Sequence, residues 1–388
     1  MNKNLFILCL SLFFVGCTSK DSFKLTVSNN SKFDRVSDFL EIPIADIEKT
    51  VPLSSNQTYN VFGEDGSVIP SQITYDNLLI FQPNLKDSET KSFQIKASES
   101  IDFEKLVDVK FRAERYDDMA WENDKLGFRF YGKALESIQS PMSGLDIWCK
   151  RTNRLVLDEW YPNDISGKAS YHVDHGEGAD FYPVGRTLGA GSLSPYIDEA
   201  LLLNNNYISH EILDNGPLRI SFKITYPDVE VNGTKLTESK LINLDAGSYL
   251  TEITQKYEGK EDVEPFTVAA GFAFRGEENP IIRKDESSYL IYQDPAVKSN
   301  GDLFLGLIIP QGIEKGFVDT TDIVNEAGEK SVTKNVLATT PYNSATGVRY
   351  YVGFGWNKAG FLSVDAFETY LKTYSQALIE PFAVEYQN

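Results

Sequence analysis

Short segments that alternate apolar with polar residues recur along almost the whole chain, and they constrain its fold more than any other feature. They are rich in β-branched and aromatic side chains, and the clearest are residues 23–28, 78–82, 91–96, 107–115, 218–226, 249–257 and 348–356. Because successive side chains of a strand point to opposite faces of a sheet, this pattern predicts antiparallel strands with one buried face. The sequence therefore predicts an all-β protein in which an N-terminal β-sandwich of immunoglobulin size precedes a large antiparallel β domain.

One stretch near the C-terminus departs from this alternation. Its apolar residues recur near helical spacing, at Phe361, Ala366, Phe367, Tyr370, Leu371, Tyr374 and Leu378. This spacing predicts a C-terminal helix packed on the sandwich. We divide the chain into a signal peptide (1–16), a linker (17–21), the N-terminal sandwich (22–102) and the large domain (103–388).

The first residues have the pattern of an export signal. A short basic segment precedes an apolar run from Leu5 to Val15, which is too short to span a bilayer, and Gly16 and Cys17 follow. This arrangement resembles a bacterial lipobox, which implies cleavage before Cys17 and lipidation of that residue. We therefore expect a cell-envelope protein anchored by lipid to the outer membrane, either periplasmic or surface-exposed. Secretion after cleavage is the alternative.

The cysteines and the charge narrow the class of protein further. Cleavage removes Cys9 and lipidation occupies Cys17, so the folded part keeps only Cys149 and forms no internal disulfide. The alternating context of Cys149 predicts a small buried side chain. With 37 basic and 56 acidic residues the net charge is −19, which argues against nucleic acid or an anionic membrane surface as partner. No apolar run after residue 20 is long enough to cross a membrane, so we expect membrane contact through the lipid anchor only.

Histidine is scarce in this chain and clustered. Of three histidines, two stand in the glycine-containing segment 171–182, and the third follows within forty residues. Imidazole transfers protons near neutral pH, and the glycines predict a loop, where functional sites concentrate. The candidate catalytic residues are Tyr171, His172, His175 and His210, with Asp174, Glu177 or Asp180 to orient an imidazole. Two alternatives stay open: the segment binds a divalent metal, or it is a polar loop whose histidines satisfy backbone groups.

Other residues have the chemistry needed to bind a sugar. An indole offers an apolar face for stacking, neighbouring carboxylates and amides accept hydroxyl groups, and arginines neutralise a carboxylate or sulfate. Glycines such as those of residues 185–191 let the backbone approach a ligand. The candidate substrate-binding residues are Trp121, Glu122, Asn123, Asp124, Arg129, Arg154, Tyr182 and Arg186. A buried tryptophan, a charged hairpin end and a simple turn are the structural alternatives for these segments.

Five motifs carry a resemblance to a known family. They are residues 118–124, 144–148, 171–178, 187–191 and 211–219. They resemble motifs of a Bacteroidota family of domain of unknown function, number 4861, whose members are similar in being envelope lipoproteins encoded among polysaccharide-degradation genes. The long sandwich is also similar to the galactose-mutarotase-like supersandwich of aldose epimerases and several polysaccharide lyases. The resemblance implies a supersandwich-like large domain and a carbohydrate substrate, although architecture alone does not fix chemistry.

This resemblance suggests a specific reaction for the histidines and tyrosine. A uronic acid has an acidified proton at C5 and a leaving group at C4, so an imidazole or phenol can remove the proton while Arg129 or Arg154 stabilises the enolate-like intermediate. We therefore expect β-elimination on uronate-containing oligosaccharides, such as those of ulvan, by a lyase or dehydratase that needs no cofactor. A non-catalytic glycan-binding or mutarotase-like protein and a metal-dependent glycan hydrolase are the alternatives.

Overall fold

A computed structural model describes residues 21–260, 263–276, 282–285, 289–295, 298–324 and 330–387. The predicted signal peptide, Cys17 and residues 18–20 of the linker lie outside them. Over the described residues strands dominate, and the prediction of an all-β protein is confirmed. None of the helices in these segments combines the length and apolarity needed to cross a membrane.

The secondary structure falls into three consecutive groups. The first comprises β1 (Phe23–Ser28), β2 (Leu40–Pro43), α1 (Ile44–Glu48), β3 (Thr58–Gly63), β4 (Val68–Ile69), β5 (Ser71–Ile73), β6 (Leu78–Phe81) and β7 (Thr90–Ser98). The second comprises β8 (Val107–Arg112), β9 (Asp118–Asn123), β10 (Gly127–Phe130), β11 (Asp146–Lys150), α2 (Leu157–Ile165) and β12 (Gly178–Ala179), with 3-10 turns at Ala113–Arg115 and Lys133–Ser137. The third comprises β13 (Ala190–Ile197), β14 (Ala200–Leu201), β15 (Ser209–Asn215), β16 (Arg219–Val231), β17 (Thr234–Asp245), β18 (Leu250–Glu258), β19 (Thr267–Ala273), β20 (Ile282–Asp285), β21 (Tyr289–Asp294), a 3-10 turn at Lys298–Asn300, β22 (Leu303–Ile308), β23 (Lys315–Val324), β24 (Lys330–Pro341), β25 (Val348–Trp356), α3 (Val364–Ile379) and β26 (Ala383–Gln387).

The N-terminal strands form two small sheets, ordered β26–β1–β7–β3–β4 and β2–β6–β5. They enclose a core of their own, which includes Leu25, Ile42, Phe81 and Ile95. The last strand, β26, pairs antiparallel with β1. Residues 383–387, which the sequence division places in the large domain, therefore complete the first sheet and cover an edge that would otherwise be unpaired.

A larger sandwich forms the main core. An eight-stranded sheet, ordered β15–β16–β17–β18–β25–β22–β21–β20, and a five-stranded sheet, ordered β14–β13–β19–β24–β23, contribute residues to one apolar cluster. Helix α3 packs on the other face of the eight-stranded sheet, where Phe367 and Leu371 are buried against Phe304 and Ile308. Gly306 permits this packing, because a Cβ there would lie 2.6 Å from the Phe367 ring. The predicted C-terminal helix is thus confirmed, and the Ser363 hydroxyl caps it by accepting the Ala366 amide at 3.3 Å.

Candidate active site

A third sheet, ordered β12–β11–β10–β9–β8, has two chemically different faces because its side chains alternate. Trp121, Phe128 and Ile147 point into the core of the large sandwich. The opposite face carries Arg129 and Trp148, and α2 packs over this face with the loop that follows it. The candidate site is built on this second face, where polar side chains are enclosed between the sheet and α2.

Arg129 lies at the centre of a carboxylate cluster, which we define as Arg129, Asp118, Asp146 and Asp180. Arg129 stands directly opposite Asp146 in the strand register, and its Nε donates to Asp146 at 2.9 Å. Its Nη2 donates to Asp180 at 2.8 Å, and its Nη1 lies 3.5 Å from Asp118. The Tyr131 hydroxyl completes the network by donating to Asp146 at 2.8 Å. All four cluster residues are buried, so the electrostatic interactions are only weakly screened.

The cluster holds three carboxyl groups and one guanidinium, which leaves an excess of buried negative charge. Burial, together with the neighbouring Asp146, raises the pKa of Asp180 to about 8, although Arg129 opposes both effects. Burial also raises the pKa of Asp118 to about 6, against the opposing influence of Arg129 and of the hydrogen bond from Tyr161. The cluster therefore retains a proton at neutral pH, as is typical of functional sites.

His172 lies beside this cluster with its ring open to solvent. Its Nδ1 is 2.9 Å from the carbonyl oxygen of Asp180 and 3.8 Å from the carboxylate of the same residue, and the side chain is 54% exposed. A carbonyl oxygen only accepts, so Nδ1 carries the proton of the neutral ring. The lone pair is then on Nε2, which is free to accept a proton from a bound molecule.

The loop before β12 is shaped by close backbone packing. Gly178 has φ +120°, and a Cβ on it would lie 1.9 Å from the carbonyl oxygen of Cys149, so only glycine lets β12 pair with β11. The Asp174 carboxylate accepts the amides of Gly176 at 2.8 Å and Gly178 at 3.1 Å. These contacts close the loop and fix Asp180, two residues further on, beneath His172.

Tyr171 separates the cluster from a surface pocket of about 290 Å³. Its ring packs against Trp148 at 4.7 Å and against His172 at 4.6 Å between centroids. Its hydroxyl is buried and has no hydrogen-bond partner among the described residues. Burial raises the pKa of Tyr171, while Arg129 and Arg115 lower it. The residues lining the pocket include Trp160, Ser170, Tyr171, Val173, His175 and Glu177.

Arg115 is a cation at this site that the sequence analysis did not single out. Its guanidinium lies 5.6 Å from the centre of the Tyr171 ring, and it makes no hydrogen bond or ion pair with any described residue. It is partly exposed, whereas Arg129 is enclosed by carboxylates. Arg115 is therefore available to bind an anionic group, and Arg129, the predicted substrate-binding cation, is not.

The structure brings together Tyr171, His172 and Arg129 and places His175 in the adjoining pocket, but it separates His210 from them. The His175 Nε2 lies 3.0 Å from the carbonyl oxygen of Ser170. His210 is exposed on β15 and stacks on Phe111 at 4.3 Å. Phe111 packs towards the sandwich core, on the face of the third sheet opposite Arg129. His210, one of the four candidate catalytic residues, therefore does not lie with the other three.

The predicted sugar-binding motif at residues 121–124 is structural instead. The Trp121 indole is fully buried, where it stacks on Phe128 and meets Phe222 edge-on, so it offers no face to a sugar. The Glu122 carboxylate accepts the amides at the start of α2 at 2.8 to 2.9 Å and pairs with buried Lys150 at 2.6 Å. The Asn123 amide donates to the carbonyls of Asp245 and Ser248, and the Asp124 carboxylate accepts the Gly247 amide.

Three other predicted substrate-binding residues also have structural partners. Arg154 is exposed and pairs with Glu177 at 2.7 Å and with Glu159 at 3.3 Å. Arg186 donates to the carbonyl of Asn204 at 2.6 Å and that of Leu203 at 2.8 Å. Tyr182 is buried and donates to the carbonyl of Gly189 at 2.8 Å. Arg186 and Tyr182 therefore stabilise the glycine-rich turn, and of the three only Arg154 lies at the pocket side of the sheet.

Asp118 and Asp146, which were not predicted as site residues, share with Arg129 one signal in the sequence, which is strand parity. Asp118, Arg129 and Asp146 occupy positions that alternate with large apolar residues on three adjacent strands, so they had to fall on one face. The buried free Cys149 points to the opposite, apolar face. Across the described segments, no group of three or more histidine, cysteine, aspartate or glutamate side chains is arranged to hold a metal ion.

The fold and the site define a class: an all-β sandwich protein with a buried, proton-retaining carboxylate cluster beside an exposed histidine. The chain belongs to the family described as Domain of unknown function (DUF4861), whose model matches residues 27–384. This match confirms the resemblance found in the sequence. The chain is also 24% identical over 410 residues to Uncharacterized protein P7 of Formosa agariphila, covering 99% of this chain and 98% of that protein.

Two solved structures align with nearly the whole chain. An alpha-mannosidase from Enterococcus faecalis V583 superposes with a TM-score of 0.50 at 10% identity, over 95% of this chain and 46% of the mannosidase. A protein in the Glycosyl Hydrolase Family 38 from Enterococcus faecalis gives a TM-score of 0.46 at 9% identity, over 95% of this chain and 48% of that protein. The chain thus spans about half the length of these two proteins. The likeness to the alpha-mannosidase supports the sandwich fold.

Proposed function

We propose that this chain is a carbohydrate-processing enzyme that performs β-elimination on uronic-acid-containing oligosaccharides at the His172 site. The observation that carries the proposal is the exposed His172 imidazole, whose tautomer is fixed by Asp180 and whose neighbour Tyr171 has the Arg115 guanidinium over its ring. The fold likeness to part of an alpha-mannosidase agrees with a saccharide as substrate but says nothing of the reaction.

The roles follow from what each side chain can do. Arg115 binds the uronate carboxylate and stabilises the negative charge that develops when C5 loses its proton. Nε2 of His172 takes that proton, the C5–H electron pair forms the C4=C5 double bond, and the C4–O bond breaks. The resulting imidazolium protonates the leaving oxygen. The products are an unsaturated uronosyl end and a free hydroxyl or a water molecule, so atoms and charge balance without a further reactant.

The surrounding residues position these groups. Asp180 holds the His172 ring through its carbonyl and its carboxyl group, and the proton retained by the cluster limits the negative charge beneath the imidazole. Tyr171 packs against the same ring, and its buried hydroxyl favours a positioning role over proton transfer. Trp160 and His175 line the adjoining pocket, where a neighbouring sugar can stack.

The test is the absorbance of unsaturated uronate produced from oligomers of ulvan, alginate, pectin and glycosaminoglycans. On the substrate that reacts, His172→Ala should lower kcat by about 100-fold or more, as expected for loss of a general base. Arg115→Ala should raise KM and lower kcat. The matched control is His210→Ala, which removes an exposed imidazole from the opposite face and should leave the rate unchanged.

Two results would count against the proposal. The first is no absorbance rise on any of the four substrates, and the second is a rate that His172→Ala leaves intact. Saturable glycan binding without any product by mass spectrometry would instead favour the glycan-binding alternative.

We also propose that the mature protein is lipid-anchored in the cell envelope through Cys17, on the basis of the lipobox resemblance at residues 15–17. Mass spectrometry of the mature N-terminal peptide should show a diacylated cysteine, and Cys17→Ala should move the protein from the membrane fraction to the soluble fraction. An unmodified Cys17 in the secreted protein would refute the anchor.

A further inference from the structure

A second pocket lies where the N-terminal sheets, the eight-stranded sheet and the end of α3 meet. Its volume is about 400 Å³, and its walls come from residues 35–41, from strands β16, β17, β18 and β25, and from residues 374–382. None of the proposed catalytic residues lines it. It is therefore a separate cavity, and the catalytic proposal leaves it without a role.

Two ion pairs account for part of its charged lining. Arg219 donates to both carboxylate oxygens of Asp245, at 2.5 and 2.8 Å, and to Glu41 across the junction at 2.5 Å. Arg35 donates to Asp38 at 2.6 Å. The Arg219–Glu41 contact joins the N-terminal sheets to the large sandwich, and both arginines are already paired with carboxylates.

Two further charged residues of the lining, Glu252 and Arg349, take no part in these ion pairs. Among the described residues, Glu252 has no cation within ion-pair distance; the Tyr351 hydroxyl donates to its carboxyl group, and the Asn243 amide lies 3.4 Å from it. Burial raises the pKa of Glu252, against the opposing effects of Tyr351 and Arg349. Arg349 is exposed, and within the described segments it makes no hydrogen bond or ion pair. The pocket thus presents a guanidinium and a half-buried carboxyl group, neither of which forms an ion pair with a described residue.

Strand register places these groups on one face. Glu252 stands directly opposite Tyr351 on β25, and Arg349 is two residues from Tyr351, so all three point to the same side of the sheet. The Tyr374 ring of α3 lies 5.4 Å from the Tyr351 ring and forms an adjacent aromatic wall. A guanidinium fork binds a carboxylate, a carboxyl group and phenol bind hydroxyls, and aromatic rings pack on a sugar ring.

We propose that this pocket is a binding site for an acidic saccharide, with the sugar carboxylate on Arg349 and its hydroxyls on Glu252 and Tyr351. The site lies outside the proposed elimination centre and does not depend on that reaction. It would hold a second part of an acidic glycan chain, or a released acidic sugar, at the junction of the N-terminal sheets and the large sandwich.

The test is calorimetric titration of the whole mature chain with D-glucuronate, and with D-glucose as the uncharged counterpart. The Arg115→Ala background is used, so that the proposed catalytic site has lost its carboxylate-binding cation. Arg349→Ala should weaken glucuronate binding by at least about tenfold, since charge-assisted hydrogen bonds are lost, and should leave glucose binding unchanged. The control is Lys223→Ala, which removes an exposed cation of β16 that does not line the pocket and should have no effect.

Because Arg349 is exposed, its replacement is expected to fold, and an unchanged near-ultraviolet circular dichroism spectrum checks this. Equal glucuronate affinity with and without Arg349 would overturn the proposal, as would the absence of saturable glucuronate binding at millimolar concentrations. Both results are independent of whether the chain shows elimination activity, so the two proposals fail separately.

Discussion

Replacing Asp180 with asparagine removes from the carboxylate cluster the group whose pKa is raised to about 8. The side chain is only 4% exposed, and Arg129 donates to it at 2.8 Å. An amide keeps the size and an acceptor oxygen of the carboxyl group but does not titrate. The substitution therefore isolates the free-energy cost of ionising this one group inside the folded protein.

The direction and size of the effect follow from proton linkage. The pKa rises from an ordinary value of 3.8 to about 8, so between these values the folded state binds more protons than the unfolded state. The free energy of unfolding must then fall as the pH rises through this window. The slope approaches about 1.4 kcal/mol per pH unit, so the wild type should lose about 2 kcal/mol between pH 6 and pH 7.5 relative to Asp180→Asn. Asp118 titrates mostly below this range, because its pKa is raised only to about 6.

The assay is urea unfolding followed by tryptophan fluorescence at several pH values, since Trp148 and Trp160 flank the site. The control is Asp174→Asn, in the same loop, where the pKa of the carboxyl group is lowered, so that it is ionised throughout the range in both states. A wild-type-minus-Asp180→Asn difference that stays constant from pH 6 to pH 7.5 would refute the reasoning. It would mean that Asp180 is already ionised at pH 6 and that the cluster retains no proton there.

Two further predictions concern residues that the structure reassigns from sugar binding to packing. Trp121→Ala should destabilise the protein by about 3–5 kcal/mol in urea unfolding, because it removes a fully buried indole. Arg154→Ala should change the free energy of unfolding by no more than about 1 kcal/mol, because its ion pairs are exposed. Near-equal effects of these two changes would contradict the burial of Trp121. Lys150→Ala should cost about 3–5 kcal/mol by leaving the Glu122 carboxylate buried without its cation, and adding Glu122→Gln should recover part of that loss. A melting temperature that Lys150→Ala leaves unchanged would show that this pair is not buried.

The alternation of apolar and polar residues was sufficient to predict the strands and the fold class, because period-two patterning reflects burial of one sheet face. The helical spacing of residues such as Phe367 and Leu371 likewise predicted α3, since those side chains pack on one stripe. The pairing of β26 with β1 could not be predicted, because it joins the two ends of the chain and depends on which sheet edge is free.

The candidate site shows the same division between local and long-range information. The scarcity and clustering of histidine predicted His172 as a site residue, and His172 does lie beside the carboxylate cluster. The same argument also predicted His210, which lies on the other side of the third sheet. The composition of residues 121–124 suggested sugar binding, whereas parity along β9 places the Trp121 indole in the core.

By itself, the sequence determined the fold class, the C-terminal helix and the family, because each depends on patterns contained within short segments. Only the tertiary structure decided that Arg129 is enclosed by three carboxyl groups, that Arg115 has no ion-pair partner among the described residues, and that Glu252 and Arg349 share a pocket. The physical reason is that strand register and sheet packing bring together residues that are far apart in the sequence, such as Arg219 and Glu41. Local alternation sets which face a side chain occupies but leaves open which other side chains it meets there.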